Sequence, residues 1–359
     1  MRAMLAVLTM LMLPATAATA APDYSAIVKA AVDRQIIPGF RDFAASAAAF
    51  AKTTDTFCQG PDARGLETVR AGFNDVMDAW QKVQQFGFGP GDDFNRSQRV
   101  QFWPDKKNSG DRQMLVLLKE RNAERLEGAR IIVASVAVQG LPALEMLLFG
   151  KGQPEKLLTK DDDAVFRCRV VKAIAVNLAT IGGEFVTEWE KPGGYRAEME
   201  NAGVSGSRYT DHRQVASQLF NALHGQLQAV AEVKLGHPLG LAADEARPGR
   251  SESWRARRSL RNVLLNLEAV RTMFVDALLP VMAADGKAAE GRRIVAAVDQ
   301  AIAMARQFRS PMEEEMTVAE GWKRLTALKA QIKTLAGLLE SEAGPVLDLQ
   351  IGFNALDGD

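Results

Sequence analysis

Apolar residues in this chain recur at helical spacing and almost never at every second position, and that period confines the fold to packed helices. Phe73, Val76, Met77, Trp80 and Val83 share one helical face, as do Ile174, Leu178, Ile181, Phe185 and Trp189. Val215, Leu219, Leu223, Leu227 and Val230 repeat the pattern, and Leu260, Val263, Leu264, Leu267, Val270 and Phe274 follow. Val295, Val298, Ile302 and Ala305 make another stripe, and Trp322, Leu325, Leu328, Ile332, Leu335 and Leu338 close the set. With helices near 24–52, 112–138 and 142–149 the count reaches at least eight. The fold class is all-α. A Gly-rich polar stretch from Lys191 to about Asp211 divides the chain into parts of similar helix content. Two four-helix-bundle-like domains packed side by side follow, over 21–194 and 195–359.

The first twenty residues read as a secretory signal peptide: Arg2, an apolar run from Leu5 to Leu13, then Ala18-Thr19-Ala20 before a mature start near Ala21. The run is shorter than the roughly 20 residues a membrane span needs, and no later segment is apolar enough to cross a bilayer. The expectation is a periplasmic protein. Lys and Arg number 44 and Asp and Glu 44, so no global field recruits a polyanion and nucleic acid is not an expected partner. Cys58 and Cys168 are the only cysteines. An oxidising compartment pairs them, closing a loop of about 110 residues; the alternatives are two buried free thiols or, further off, metal ligands.

Gly140-Leu-Pro-Ala-Leu-Glu-Met-Leu-Leu-Phe149 places a carboxylate, Glu145, inside an apolar run just after a Gly/Pro break. A buried unpaired carboxylate costs several kcal/mol, so Glu145 reaches solvent, has a cationic partner or belongs to a site. Three irregular segments add unusual chemistry. The first holds Gln101-Phe-Trp-Pro-Asp105, an aromatic cleft wall or a loop covering the core. The second runs through Leu235-Gly-His-Pro-Leu-Gly240 and Arg247-Pro-Gly-Arg-Ser-Glu-Ser-Trp-Arg255 to Arg258 and Ser259. There Ser251 or Ser253 is a candidate cap of the helix that follows, and along that helix Arg255, Ser259 and Asn262 share a face by i, i+4, i+7 spacing. This stretch is either an anion receptor or a solvated basic face. The third is the tail, where Ile351, Phe353 and Leu356 predict docking on the body, with Asn354, Asp357 and Asp359 as its polar groups.

These motifs resemble the imelysin family of bacterial envelope proteins. The family signature is G-x-H-x-x-E. Gly140 and Glu145 match it, and Pro142 stands in the histidine position, as in a branch reading G-x-P-A-x-E. The runs F-W-P-D, L-G-H-P-L-G, R-P-x-x-S-E-S-W-R and G-F-N-x-L-D-G-D carry the same resemblance over roughly residues 25–359. It implies two helical bundles, a periplasmic location, an association with iron acquisition and a metallopeptidase label.

The residues lean against catalysis. A zinc hydrolase needs about three protein ligands and an open position. The three histidines, His212, His224 and His237, stand in no H-E-x-x-H or H-x-x-E spacing. His224 reads as a core or groove histidine, His237 as part of a turn and His212 as a helix start. There is no G-x-S-x-G elbow. The expected role is a ligand- or metal-binding protein with a cleft between two bundles; the alternatives are a metallopeptidase-like hydrolase and an envelope scaffold for a protein partner. The expected ligand is a small molecule, a metal chelate or an acidic peptide, and the possible cofactor is iron or another oxygen-liganded metal. Trp103 and Trp254 would form walls, and Asp105, Glu145, Glu252 and Asn354 would set polarity. Arg247, Arg255 and Arg258, with Ser251 and Ser259, would hold anionic groups. Glu145 and Asp105 are the candidate metal ligands.

Overall fold

The computed structural model describes residues 21–126 and 134–352. The signal-peptide reading and Asn354, Asp357 and Asp359 of the tail lie outside these residues. The described residues contain helices and no strand. In the first half the helices are α1 (Tyr24–Ala31), α2 (Ile37–Gln59), α3 (Ala63–Val83), α4 (Arg96–Val100), α5 (Ser109–Glu120), α6 (Leu141–Phe149), α7 (Asp162–Glu190) and α8 (Tyr195–Glu200). The second half has α9 (His212–Gln228), α10 (His237–Leu239), α11 (Ser259–Met273), α12 (Leu279–Ala284), α13 (Ala288–Arg306), α14 (Met312–Glu315), α15 (Ala319–Leu338) and α16 (Gly344–Leu347). Wider π-helical turns at Val32–Ile36, Ala229–Gly236, Phe274–Leu278 and Leu339–Ala343 each join two of these helices without a break.

Every apolar stripe read from the sequence falls on one of these helices and is turned inward: Phe73, Ile174, Phe185, Trp189, Val263, Leu325 and Ile332 are all buried. Aspartates start four of the helices by accepting backbone N–H bonds, Asp23 from Ala26, Asp62 from Gly65, Asp161 from Ala164 and Asp211 from Gln214. In the first half α2 packs along both α3 and α7. Gly182 permits the α2–α7 approach, since a Cβ there would lie 2.8 Å from the Ala44 Cα. Cys58 at the end of α2 is bonded to Cys168 in α7, with Cα atoms 5.6 Å apart. In the second half α13 packs between α11 and α15, and α9 lies against α11 and α15.

Two expectations change. The helix expected near 112–138 ends at Glu120, where Arg121 takes a left-handed conformation with φ 50°, and only a short turn, Ala123–Leu126, follows in the described chain before 136–138. The polar stretch after Lys191, expected as a linker, contains α8, and its Tyr195 packs edge-on against Trp189 with ring centroids 5.0 Å apart. The halves are also laced together, because α1 lies against α9 and α3 against α11.

Candidate functional site

Gly140 fixes where α6 begins. A Cβ at this residue would stand 2.2 Å from the Val100 carbonyl oxygen and 2.4 Å from that of Arg99, so only glycine lets the chain pass the end of α4. Pro142 then sits in the first turn, where its missing N–H is not needed. One helical turn further, Glu145 emerges on the same face, and both residues border a cavity of about 640 Å³.

Five chain segments wall this cavity: Phe102 to Met114, Ala137, the start of α6, His237, and Gly249 to Arg255. Phe102, Trp103, Met114, Met146 and Trp254 give it apolar surface. Asp105, Lys106, Asp111, Glu145, Arg250 and Arg255 give it charge. The segment from Ser251 to Arg258 curls tightly, with Ser253 and Arg257 both left-handed at φ 53° and 58°. The curl turns the Ala256 N–H toward Glu145, whose Oε1 accepts it at 3.0 Å.

Glu145 is 4% exposed. Burial raises its carboxyl to about 7, against the opposing pull of the Ala256 N–H and the Arg255 charge and with a small push from Glu313. It has no ion pair with Arg255, whose guanidinium reaches Asp111 at 2.5 Å and lies 4.4 Å from the Trp254 ring centroid. Near neutral pH this carboxyl therefore holds a shared population of protonated and ionised forms. Asp105 differs. Burial pushes it up, but the N–H groups of Gly110, Ser109 and Lys107 outweigh that and hold it below the usual carboxylate range. Its oxygens organise the turn into α5.

Trp103, Asp105, Glu145, Ser251, Trp254 and Arg255 thus border one cavity, while four other candidate residues do not. Arg247 is exposed and bonds the carbonyls of Asp244 and Ala246 in its own loop. Glu252 is sealed behind the wall, 2% exposed, where it pairs with Lys234 at 2.8 Å and accepts from Gln101 at 2.7 Å and Asn262 at 2.9 Å. Arg258 turns the other way and pairs with Asp78 of α3, which also holds Arg261. The Ser259 hydroxyl is engaged by the Glu252 carbonyl and by Glu313. The polar stripe on one helix face is not formed, because α11 starts only at Ser259, after Arg255, and neither Ser251 nor Ser253 caps it. These residues have the right chemistry for a site, but long-range partners that local spacing does not reveal occupy them.

The structure adds residues that the sequence reading passed over. His237 is exposed at the cavity edge rather than a purely structural turn residue. Arg250 stands in the wall in place of Arg247. Asp111, Lys106 and Asn108 come from the turn that Asp105 organises, and no pattern in the sequence marks them. His224 is buried on α9 and His212 Nε2 donates to the Glu200 carbonyl at 2.9 Å; neither borders the cavity. Among the described residues no three His, Cys, Asp or Glu side chains converge as a metal set. With Asp105 bound to its own turn and proline at position 142, the donors present do not suit a resident bare metal ion.

Comparison with known proteins agrees with the architecture. Iron-regulated protein A of Synechococcus elongatus is 25% identical over 332 residues, covering 88% of this chain and 85% of that protein. An imelysin-like protein from Psychrobacter arcticum superposes with a TM-score of 0.77 at 17% identity, covering 93% of this chain and 100% of the other. A protein from Parabacteroides distasonis, described as an iron-regulated protein A precursor, superposes with a TM-score of 0.75 at 19% identity, covering 91% and 97%. Imelysin is the family whose profile matches residues 36–339, and this chain belongs to it.

Proposed function

We propose that this protein is an exported binding protein of iron acquisition, and that it takes a small acidic molecule or a metal chelate into the cavity between α6 and the Gly249–Arg255 wall. The observation that carries the reading is Glu145: a buried carboxyl bordering a 640 Å³ cavity, held by the backbone N–H groups of Ala256 and Arg255 and, among the described residues, left without an ion pair. A fold gains nothing from such a group in an apolar helix, and a ligand that bonds to it does. The iron association rests on the names of the relatives. Export is supported by the precursor description of one of them, by the segment 1–20 and by the disulfide. The donor set favours a ligand that brings its own anionic groups over a bare cation, and gives no support to a zinc-type hydrolase. No helix among the described residues is long and apolar enough to cross a membrane.

Native mass spectrometry of the protein isolated from iron-limited cell envelopes tests this. A stoichiometric organic or metal-chelate adduct is expected. It should be lost in Glu145→Gln and in Gly249→Trp; at Gly249 an added Cβ meets no atom within 4 Å, so a side chain there has space to occupy. An adduct that survives both changes would place the ligand elsewhere.

A further inference from the structure

One corner of the cavity has polar groups with nothing to bind. Ser251 is 1% exposed, and its hydroxyl has no hydrogen-bond partner among the described residues. A buried hydroxyl without a partner is an uncommon expense in a folded protein and marks a place where a partner is missing. Arg250, the preceding residue, borders the same cavity and makes no ion pair among the described residues. Arg255, by contrast, is matched by Asp111. His237 reaches the same wall from the end of the Ala229–Gly236 turn and adds a ring nitrogen. Opposite in character are Trp103, Trp254, Phe102 and Met146, which offer flat apolar contact.

We propose that the ligand is a small monocarboxylic acid with a flat apolar body, its carboxylate received by Arg250 and Ser251 with His237 beside them and its body against Trp103 and Trp254. A guanidinium and a hydroxyl together suit the planar, two-oxygen face of a carboxylate. The charge balance selects a monoanion. The cavity carries the acids Asp105, Asp111 and Glu145 against the bases Lys106, Arg250 and Arg255; with Glu145 protonated this is two negative charges against three positive, which a monoanion neutralises and a phosphate dianion exceeds. The volume holds a ligand of modest size, with one charged end and an apolar remainder. This inference rests on the cavity reading above and specifies the class of molecule that enters it.

The test uses the full mature chain and calorimetric titration with indoleacetate, its neutral counterpart indoleacetamide, and inorganic phosphate. The acid should bind at least about tenfold more tightly than the amide, as expected for a charge-assisted pair, and phosphate should not displace it. Arg250→Gln should erase the difference between acid and amide, and Ser251→Ala should weaken the acid while sparing the amide. Arg250 is exposed, so its replacement leaves the fold intact, and circular dichroism checks this. Equal affinity for acid and amide, unchanged discrimination in Arg250→Gln, or displacement by phosphate overturns the carboxylate assignment. If acid and amide bind equally and Gly249→Trp blocks both, the cavity reading stands and only the carboxylate assignment falls. If neither probe binds, the assignment falls, and the co-purified adduct alone decides the cavity reading.

Discussion

At the scale of single residues, Glu145 and Gly140 make opposite demands on the fold. Glu145 is tolerated at a cost. Its carboxyl is raised from 4.5 to about 7 by burial, so the folded protein binds a proton more readily than the unfolded chain. The stabilising proton is present in both states below pH about 4.5, and stability is lost as pH rises from there through 7. The loss is on the order of 3 kcal/mol. Glu145→Gln keeps an oxygen for the Ala256 N–H and removes the titration. Urea unfolding at pH 8 should find the variant more stable than wild type by up to about 3 kcal/mol, with the difference vanishing at pH 4.5; a constant difference across that range would mean the carboxyl is not buried in solution. Gly140 allows no such substitution. In Gly140→Ala the new methyl meets two backbone oxygens, which cannot rotate away, and a loss of about 3 kcal/mol is expected in thermal or urea unfolding. A neutral result would show that α6 can shift away from the end of α4. The sequence marks both residues clearly, since a carboxylate in an apolar run and a glycine before a proline are local signals.

At the scale of elements, the halves are joined by polar contacts behind the cavity wall. Lys234 and Glu252 form a buried pair, and Gln81 of α3, Gln101 just after α4, and Asn262 and Asn266 of α11 add hydrogen bonds around it. Burial pushes the Lys234 ammonium down, and Glu252 opposes that push. Removing one partner leaves a buried charge, so Lys234→Met should cost about 3–5 kcal/mol, while Lys234→Met with Glu252→Leu should cost clearly less. A double-mutant cycle measures this; additive losses would mean that the pair is not coupled. The disulfide joins α2 and α7 across 110 residues of chain. Replacing both cysteines by alanine should lower stability by about 4–5 kcal/mol in the chain-entropy account, and a change under about 1 kcal/mol would contradict it. Helix positions were legible from apolar period alone, because that signal is local. The π-helical turns, the end of α5 at Arg121 and the start of α11 at Ser259 were not. They depend on backbone conformations that distant packing imposes on ordinary residues.

At the scale of the whole molecule, the cavity exists because segments far apart in sequence meet. Trp103, Glu145 and Trp254 were readable as unusual residues in unusual contexts, and the structure brings them to one wall system. Glu252, Arg258 and Ser259 looked equally promising, yet Lys234, Asp78 and Glu313 take them out of reach. Nothing in the local sequence around Arg258 names Asp78 as its partner, since 180 residues separate them. Composition and spacing therefore nominate site chemistry, and tertiary pairing decides which nominees remain available to a ligand. The central claim is that the cavity beside Glu145 is where this imelysin-family protein holds its ligand. The most direct measurement is a crystal structure of the protein isolated with whatever it carries from an iron-limited envelope. The account predicts ligand density against Trp103 and Trp254, within hydrogen-bond distance of Glu145 or Ser251; a ligand bound elsewhere, with only water in the cavity, would contradict it.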